Sequence, residues 1–337
     1  MKIKRMELLK ALEWVKPGLA NKEIIEQSTS FAFMGDRIVT YNDRVSISAH
    51  VPGLDLYGAI KAEELYKFLG RLKREEIELE MKDNQVHLKS GKAKAGINIH
   101  QKITLPIESN LDDIEWTVLP DDFGDALSLT YPACTKDMAK PKLLGVNVRG
   151  DGIIEASDTY QITQYDLQCE IDTEDFLILG TVVRDLCKYG VRKMGKSVGW
   201  RHFMTGNDRV IFSSRIFFDS FPDTSAWLAD RGTDIILPKN LKESLELSSI
   251  FSKSAVEADD MIEIVIENKE LIVRAENENG SWFEEPLKIR YDGDPIKFSI
   301  TPAFLITMLN KSNKCKINEN VIMFSGDKWK HVLSLTA

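Results

Sequence analysis

The chain lacks most of the features that announce chemistry or a special environment. Only four cysteines occur in 337 residues, Cys134, Cys169, Cys187 and Cys315. They stand too far apart for a CxxC pair, so neither a disulfide framework nor a zinc knuckle is suggested, and a reducing cytoplasm is expected. No run reaches the roughly 18 apolar residues that a membrane span needs. The opening MKIKRMELLKALEWV starts basic and turns apolar, but Glu7, Lys10 and Glu13 interrupt it, which reads as an amphipathic helix and not a secretion signal. There is no GxxxxGK[ST], no GxGxxG after a strand and no GxSxG. The five histidines, His50, His87, His100, His202 and His331, show no HExxH or paired spacing. Asp112 with Asp113, Asp121 with Asp122, and Asp259 with Asp260 fall at expected turns and helix starts, where capping explains them. No catalytic residue, metal site or cofactor is expected.

What remains is an ordinary globular composition, 43% hydrophobic and 28% charged, long enough for roughly two to three domains. The net charge of −8 argues at first against a nucleic-acid partner, because phosphate binding requires clustered Lys and Arg. The distribution of charge argues the other way. Amphipathic helices are expected near residues 4 to 16, 61 to 74, 121 to 142, 181 to 193, 238 to 253 and 302 to 314. These segments hold 21 Lys and Arg against 11 Asp and Glu, and the rest of the chain holds 23 against 41. Such a protein would be repelled by DNA from most directions yet hold it against one basic surface.

The helices are spaced about 50 to 60 residues apart, separated by alternating runs such as DRVSISAHV, RVIFSSRIFF and MIEIVIENKELIVRAE, the mark of sheets with one buried face. In the second helix Leu65, Phe68, Leu69 and Leu72 form the packing stripe, and Lys67, Arg71 and Arg74 share another face. Pro132 should end the third helix early, and Gly190 reads as a C-cap for the fourth. Six repeats give an α+β chain of three similar domains, 1–115, 116–230 and 231–337. Connectors are expected at HQKITLPIESNLDDIEW and SFPDTSAWLADRGTD.

This order resembles the bacterial DNA polymerase sliding clamp, the DNA polymerase III beta subunit family. The strings that carry the resemblance are KPKLLGVNVRGDGIIEASDTYQI, RIFFDSFPDTSAWL, ENKELIVRAENENGSWFEEPL, FSITPAFLITMLN and SGKAKAGI. The resemblance implies the DNA clamp fold, with helices lining a ring, sheets outside, and two copies of a three-domain chain joined head to tail. It implies a processivity factor that encircles double-stranded DNA without reading sequence and tethers a replicative polymerase after a separate clamp loader has opened it. Neither catalysis nor a cofactor is implied.

By the resemblance, the DNA-facing residues are Lys10, Lys22, Lys67, Arg71, Lys136, Lys140, Arg184, Lys188, Lys242 and Lys311. A solvated helix face explains any one of them equally well; the collective bias favours DNA. The partner-peptide pocket falls on Leu143, Thr159, Tyr160, Gln161, Ile162, Pro222, Trp227, Val332 and Leu333. Where this chain has Thr159, Tyr160, Gln161 and Ile162 the family shows a small residue, His, Arg and Leu. That departure is compatible with a phage or mobile-element version and with a different peptide preference. The ring interface falls on Ala95 and Ile97 of one copy and Ile250 and Phe251 of the next, with Ala95 smaller than the aromatic the family shows there. Ordinary core is the lesser reading of Leu143, Ile162 and Leu333, and a clamp-like interaction scaffold without DNA encirclement is the alternative.

Overall fold

The computed structural model describes residues 1–106, 111–252 and 260–336. Asp259, Lys253 and the centre of the first connector lie outside them. The first third runs β1 (Lys2–Lys4), α1 (Arg5–Val15), β2 (Ser30–Gly35), β3 (Arg37–Tyr41), β4 (Val45–His50), β5 (Leu56–Lys61), α2 (Ala62–Arg71), β6 (Glu76–Lys82), β7 (Gln85–Ser90) and β8 (Ala93–Asn98). The middle third runs β9 (Trp116–Val118), α3 (Phe123–Thr130), β10 (Gly145–Val148), β11 (Ile153–Ser157), β12 (Gln161–Asp166), β13 (Phe176–Leu179), α4 (Gly180–Leu186), β14 (Val191–Ser197), β15 (Trp200–Thr205) and β16 (Val210–Arg215). The last runs β17 (Thr233–Ile236), α5 (Leu241–Ser248), β18 (Ile262–Glu267), β19 (Glu270–Glu276), β20 (Trp282–Lys288), β21 (Ile296–Ile300), α6 (Pro302–Leu309), β22 (Lys314–Ile317), β23 (Val321–Ser325) and β24 (Trp329–Ser334). Strand, helix, three strands is thus repeated six times.

Packing divides the chain into two compact units, Met1–Ser128 with Ile171–Phe218, and Leu129–Glu170 with Asp219–Ala337. In the first unit one sheet is ordered β1-β6-β7-β8 and the other β5-β2-β3-β4-β16-β15-β14-β9. Each half of the first third therefore lends its leading strand to the other half's sheet. The second sheet continues through a seam, β4 against β16, with Ile47 opposite Phe212. Both side chains are buried. In the second unit β18, β19 and β20 form a sheet ordered β20-β19-β18-β21, and β10-β11-β12-β24-β23-β22-β17 run in order through a seam of β12 against β24.

Helix α1 buries Leu8, Leu9, Leu12 and Val15 on its sheet. In α2 the stripe is as the periodicity requires, with Leu65 and Leu69 buried and Phe68 and Leu72 half-buried at its rim. The helices are shorter than the sequence suggested. The third ends at Thr130, one residue before a 3-10 turn containing Pro132, and the fourth ends at Leu186, well before Gly190. That shortening changes the charge argument, because the six helices proper carry six Lys and Arg against eight Asp and Glu. The positive excess of the six segments resides in the residues flanking the helices, many of them just past a C-terminus, where a cation complements the helix dipole.

Candidate functional site

Among the DNA-facing candidates, Lys10, Lys67, Arg71, Arg184 and Lys242 lie on helices. Lys22, Lys136, Lys140, Lys188 and Lys311 lie on the loops after them. In the first unit α1 and α2 are adjacent, joined by the Tyr66 hydroxyl donating to Glu13 at 3.3 Å and by the Lys16 ammonium 4.6 Å from the Tyr66 ring centre. The Tyr189 hydroxyl, just past α4, donates to the Trp14 carbonyl of α1. Lys10, Lys67, Arg71, Arg184 and Lys188 are therefore carried on or just past three helices, α2 and α4 each tied to α1, and all five are solvent-exposed.

Several of these cations already have acidic neighbours. Lys67 pairs with Glu63 one turn earlier, and this hydrogen bond and its charge hold the Glu63 carboxyl below the usual range. Lys188 bonds Asp185 at 2.7 Å, Arg184 lies 3.8 Å from the same carboxylate, and Lys242 lies 3.8 Å from Glu246 while donating to Asn310 at 2.9 Å. Exposed pairs of this kind are worth roughly 0–1 kcal/mol, little enough for a phosphate to compete with.

In the second unit, four segments converge around β12. The corner before it is shaped by Asp158, whose carboxylate accepts from the backbone N–H of Tyr160 and Gln161 and from the Gln161 side chain, each within 2.9 Å. Burial nevertheless raises the Asp158 pKa. Thr159 takes a left-handed φ of 83° and accepts a hydrogen bond from Lys140 at 3.3 Å, which leaves Tyr160 exposed at the tip. Strand β12 pairs with β24 so that Ile162 faces Val332 and Gln161 faces Leu333.

A sheet presents alternate residues to opposite faces, and this separates the candidates. Ile162 and Val332 share one face with Leu228, Val321 and Met323, a small cluster of its own. Leu333 belongs to the main core with Ile322 and Phe324, and Gln161 turns back to Asp158. Leu143 is buried as the last residue of a 3-10 turn, Pro141–Leu143. Pro222 and Trp227 are exposed, Trp227 by 53%, and stand on the stretch that leads into Leu228. Ile162 and Val332 are thus brought together with Leu228, the residue after Trp227, whereas Leu333 packs in the main core and Gln161 bonds Asp158.

The sequence missed what fixes that stretch. Glu155, only 3% exposed, accepts from Thr224 at 2.9 Å and from Asn147 at 3.1 Å, with Arg149 at 3.7 Å. A carboxylate at a core position of a strand was the available signal, because an unpartnered charge there would be costly.

At the ring-interface candidates, Ala95 is half-exposed on β8, an edge strand, and Ile97 is buried in its own sheet. Phe251 is half-buried and stacks on Phe283 with ring centres 6.0 Å apart, and Ile250 is 60% exposed. No group of three or more His, Cys, Asp or Glu that could hold a metal exists among the described residues. No described helix is long and apolar enough to cross a membrane.

No family model matches the chain. It is 23% identical over 194 residues, 52% of its own length and 50% of the relative's, to the beta sliding clamp of Mycoplasma genitalium. The alignment thus spans about half of that relative. It is 24% identical over 267 residues, 74% of the chain and 69% of the relative, to the beta sliding clamp of Buchnera aphidicola. Its structure superposes on that of the DNA polymerase III subunit beta from Pseudomonas aeruginosa with a TM-score of 0.86, at 15% identity, covering 100% of this chain and 99% of that one. Repeat count, strand order and whole-length superposition agree: the chain has the fold of the bacterial beta sliding clamp.

Proposed function

We propose that the chain is a non-catalytic sliding clamp, a cytoplasmic processivity factor that closes with a second copy around duplex DNA and holds a polymerase to it. The observation that carries this reading is the seam pattern. In each repeat pair the last strand of one half meets the last strand of a half in the following third, β4 with β16 and β12 with β24. The same rule applied to the last third requires β20 to meet β8, and a head-to-tail second copy supplies that partner. Three similar domains per chain, 1–115, 116–230 and 231–337, follow from the same pattern. The basic residues at the helix ends support contact with phosphates that is spread over many weak sites, so no register along the duplex is preferred.

The reading is tested on DNA of two topologies. A ring loaded on closed circular DNA should stay bound and should run off within minutes once the circle is cut; equal retention on both forms means surface binding instead.

The apolar cluster of Ile162, Val332 and Leu228, with Trp227 next to Leu228 in the chain, is the proposed seat for an extended peptide of the polymerase or loader. An exposed tryptophan beside an aliphatic cluster is the kind of residue that dominates an interface. W227A should weaken binding of polymerase-derived peptide by about 2 kcal/mol, roughly 30-fold, in a fluorescence-anisotropy titration. Unchanged affinity would move the peptide site elsewhere.

A further inference from the structure

Resting on the proposed peptide seat, we infer that Glu155 is a positioning residue for partner binding: through Thr224 it fixes the turn that carries Trp227. Strand register shows how. Asn147 faces Glu155 across β10 and β11, and Glu155 and Ser157 face Gln164 and Ile162 across β11 and β12. Ile162 and Gln164 in turn face Val332 and Lys330 of β24. Directly paired residues share a face of a sheet, and so do residues two apart along a strand. Asn147, Glu155, Ile162, Lys330 and Val332 therefore lie on one face, opposite to the face that puts Leu333 in the main core.

The segment from Thr224 to Leu228 lies over that face and is tied down at both ends. At its start the Thr224 hydroxyl donates to Glu155 Oε2 at 2.9 Å. At its end Leu228 clusters with Ile162, Val321, Met323 and Val332, and the Lys330 ammonium donates to the Leu228 carbonyl at 3.1 Å. Between the two ties the Thr224 carbonyl accepts from the N–H of Trp227 at 3.0 Å and of Leu228 at 3.2 Å. The turn thus closes on the residue whose side chain Glu155 holds, and Trp227 is left exposed beside two buried anchors.

The chemistry of the tie explains what it adds. A buried carboxylate needs donors, and Glu155 has Thr224 on Oε2 and Asn147 on Oε1 at 3.1 Å, with Arg149 3.7 Å from Oε1. An aliphatic pair at 155 and 224 would also cover this face, but the hydrophobic effect has no direction and lets two side chains slide at little loss. A hydrogen bond to a buried charge fixes both distance and angle. It therefore sets where along the sheet the turn sits, and with it where the Trp227 indole stands before a peptide arrives. Ordering that residue in advance removes part of the cost of binding.

The test separates position from stability in the full chain. T224V removes the donor at nearly the same shape and T224S keeps it. The double variant E155V/T224V replaces both partners with apolar groups, which spares the fold an unpaired buried carboxylate. In protein labelled with 5-fluorotryptophan, the fluorine NMR line of Trp227, assigned by its loss in W227F, should shift or broaden in T224V and in the double variant and stay in place in T224S. The lines of the other tryptophans report whether the fold is intact. In the anisotropy titration, polymerase-derived peptide should bind T224V and the double variant about five- to tenfold more weakly, and T224S within about twofold of wild type. An unmoved Trp227 line, or a folded double variant that binds like wild type while W227A binds weakly, overturns the positioning role and leaves the peptide seat where it is. If W227A and the double variant both bind like wild type, the peptide seat itself lies elsewhere and the positioning role falls with it.

Discussion

Reversing Lys67, Arg71, Arg184 and Lys188 together to glutamate should lower the salt slope of DNA binding by about four units and the affinity by on the order of a hundredfold or more near 0.1 M salt. Lys67 and Arg71 lie on α2, Arg184 on α4 and Lys188 just past it, each open to solvent. The variant places new carboxylates beside Glu63 and Asp185, the present partners of Lys67 and Lys188. Like-charge pairs one helical turn apart cost only about 0.2–0.5 kcal/mol each, so the fold should survive. The measurement is DNA affinity at several salt concentrations, with polymerase processivity on the same preparations. An interaction scaffold that has lost DNA encirclement would keep its partners and show no change in either quantity.

The second large effect is acid sensitivity. His202 is buried, with Ser213 and Ser197 on its two ring nitrogens, and burial lowers its pKa to about 4. His331 is buried with Thr163 on Nδ1, and burial lowers its pKa to about 3. A histidine whose folded pKa lies below its unfolded value, near 6.5, is held neutral by the fold. Its contribution is complete above pH 6.5. As pH falls below 6.5 the unfolded chain takes up a proton that the folded chain refuses, so stability declines until the folded pKa is reached. At pH 4.5 each histidine should have cost about 2–3 kcal/mol. Chemical denaturation between pH 7 and 4.5 should show a loss of about 5 kcal/mol, reduced by about half in H331Q at matched pH. A flat profile would mean that these rings are already open to water in the native state.

The repeat architecture was legible because its signal is periodic. Alternation in RVIFSSRIFF and MIEIVIENKELIVRAE marks β16, β18 and β19, and the stripe of Leu65, Phe68, Leu69 and Leu72 marks α2. Helix ends were not, because Lys136, Lys140 and Lys188 have high helix propensity but follow a proline turn or a capped end, and tertiary packing overrides propensity there. The faces taken by the proposed peptide-pocket residues were not legible. Linear resemblance named Gln161 and Leu333 along with Ile162 and Val332, but which face a strand residue takes depends on register, which pairing over 168 residues between Thr163 and His331 decides. The bond from Thr224 to Glu155 lies beyond sequence reasoning for the same reason, as does the left-handed backbone of Thr159.

The exchange of leading strands in the first third has a consequence for cooperativity. Strand β5 is chemically continuous with α2 but completes the sheet of β2, β3 and β4, and β1 completes the sheet of β6, β7 and β8. Neither half can be cut away at its boundary without stripping an edge from the other, so the pair must melt in one transition. A fragment holding one half alone would present a gap the width of a strand, and a second identical fragment would be the nearest thing to fill it.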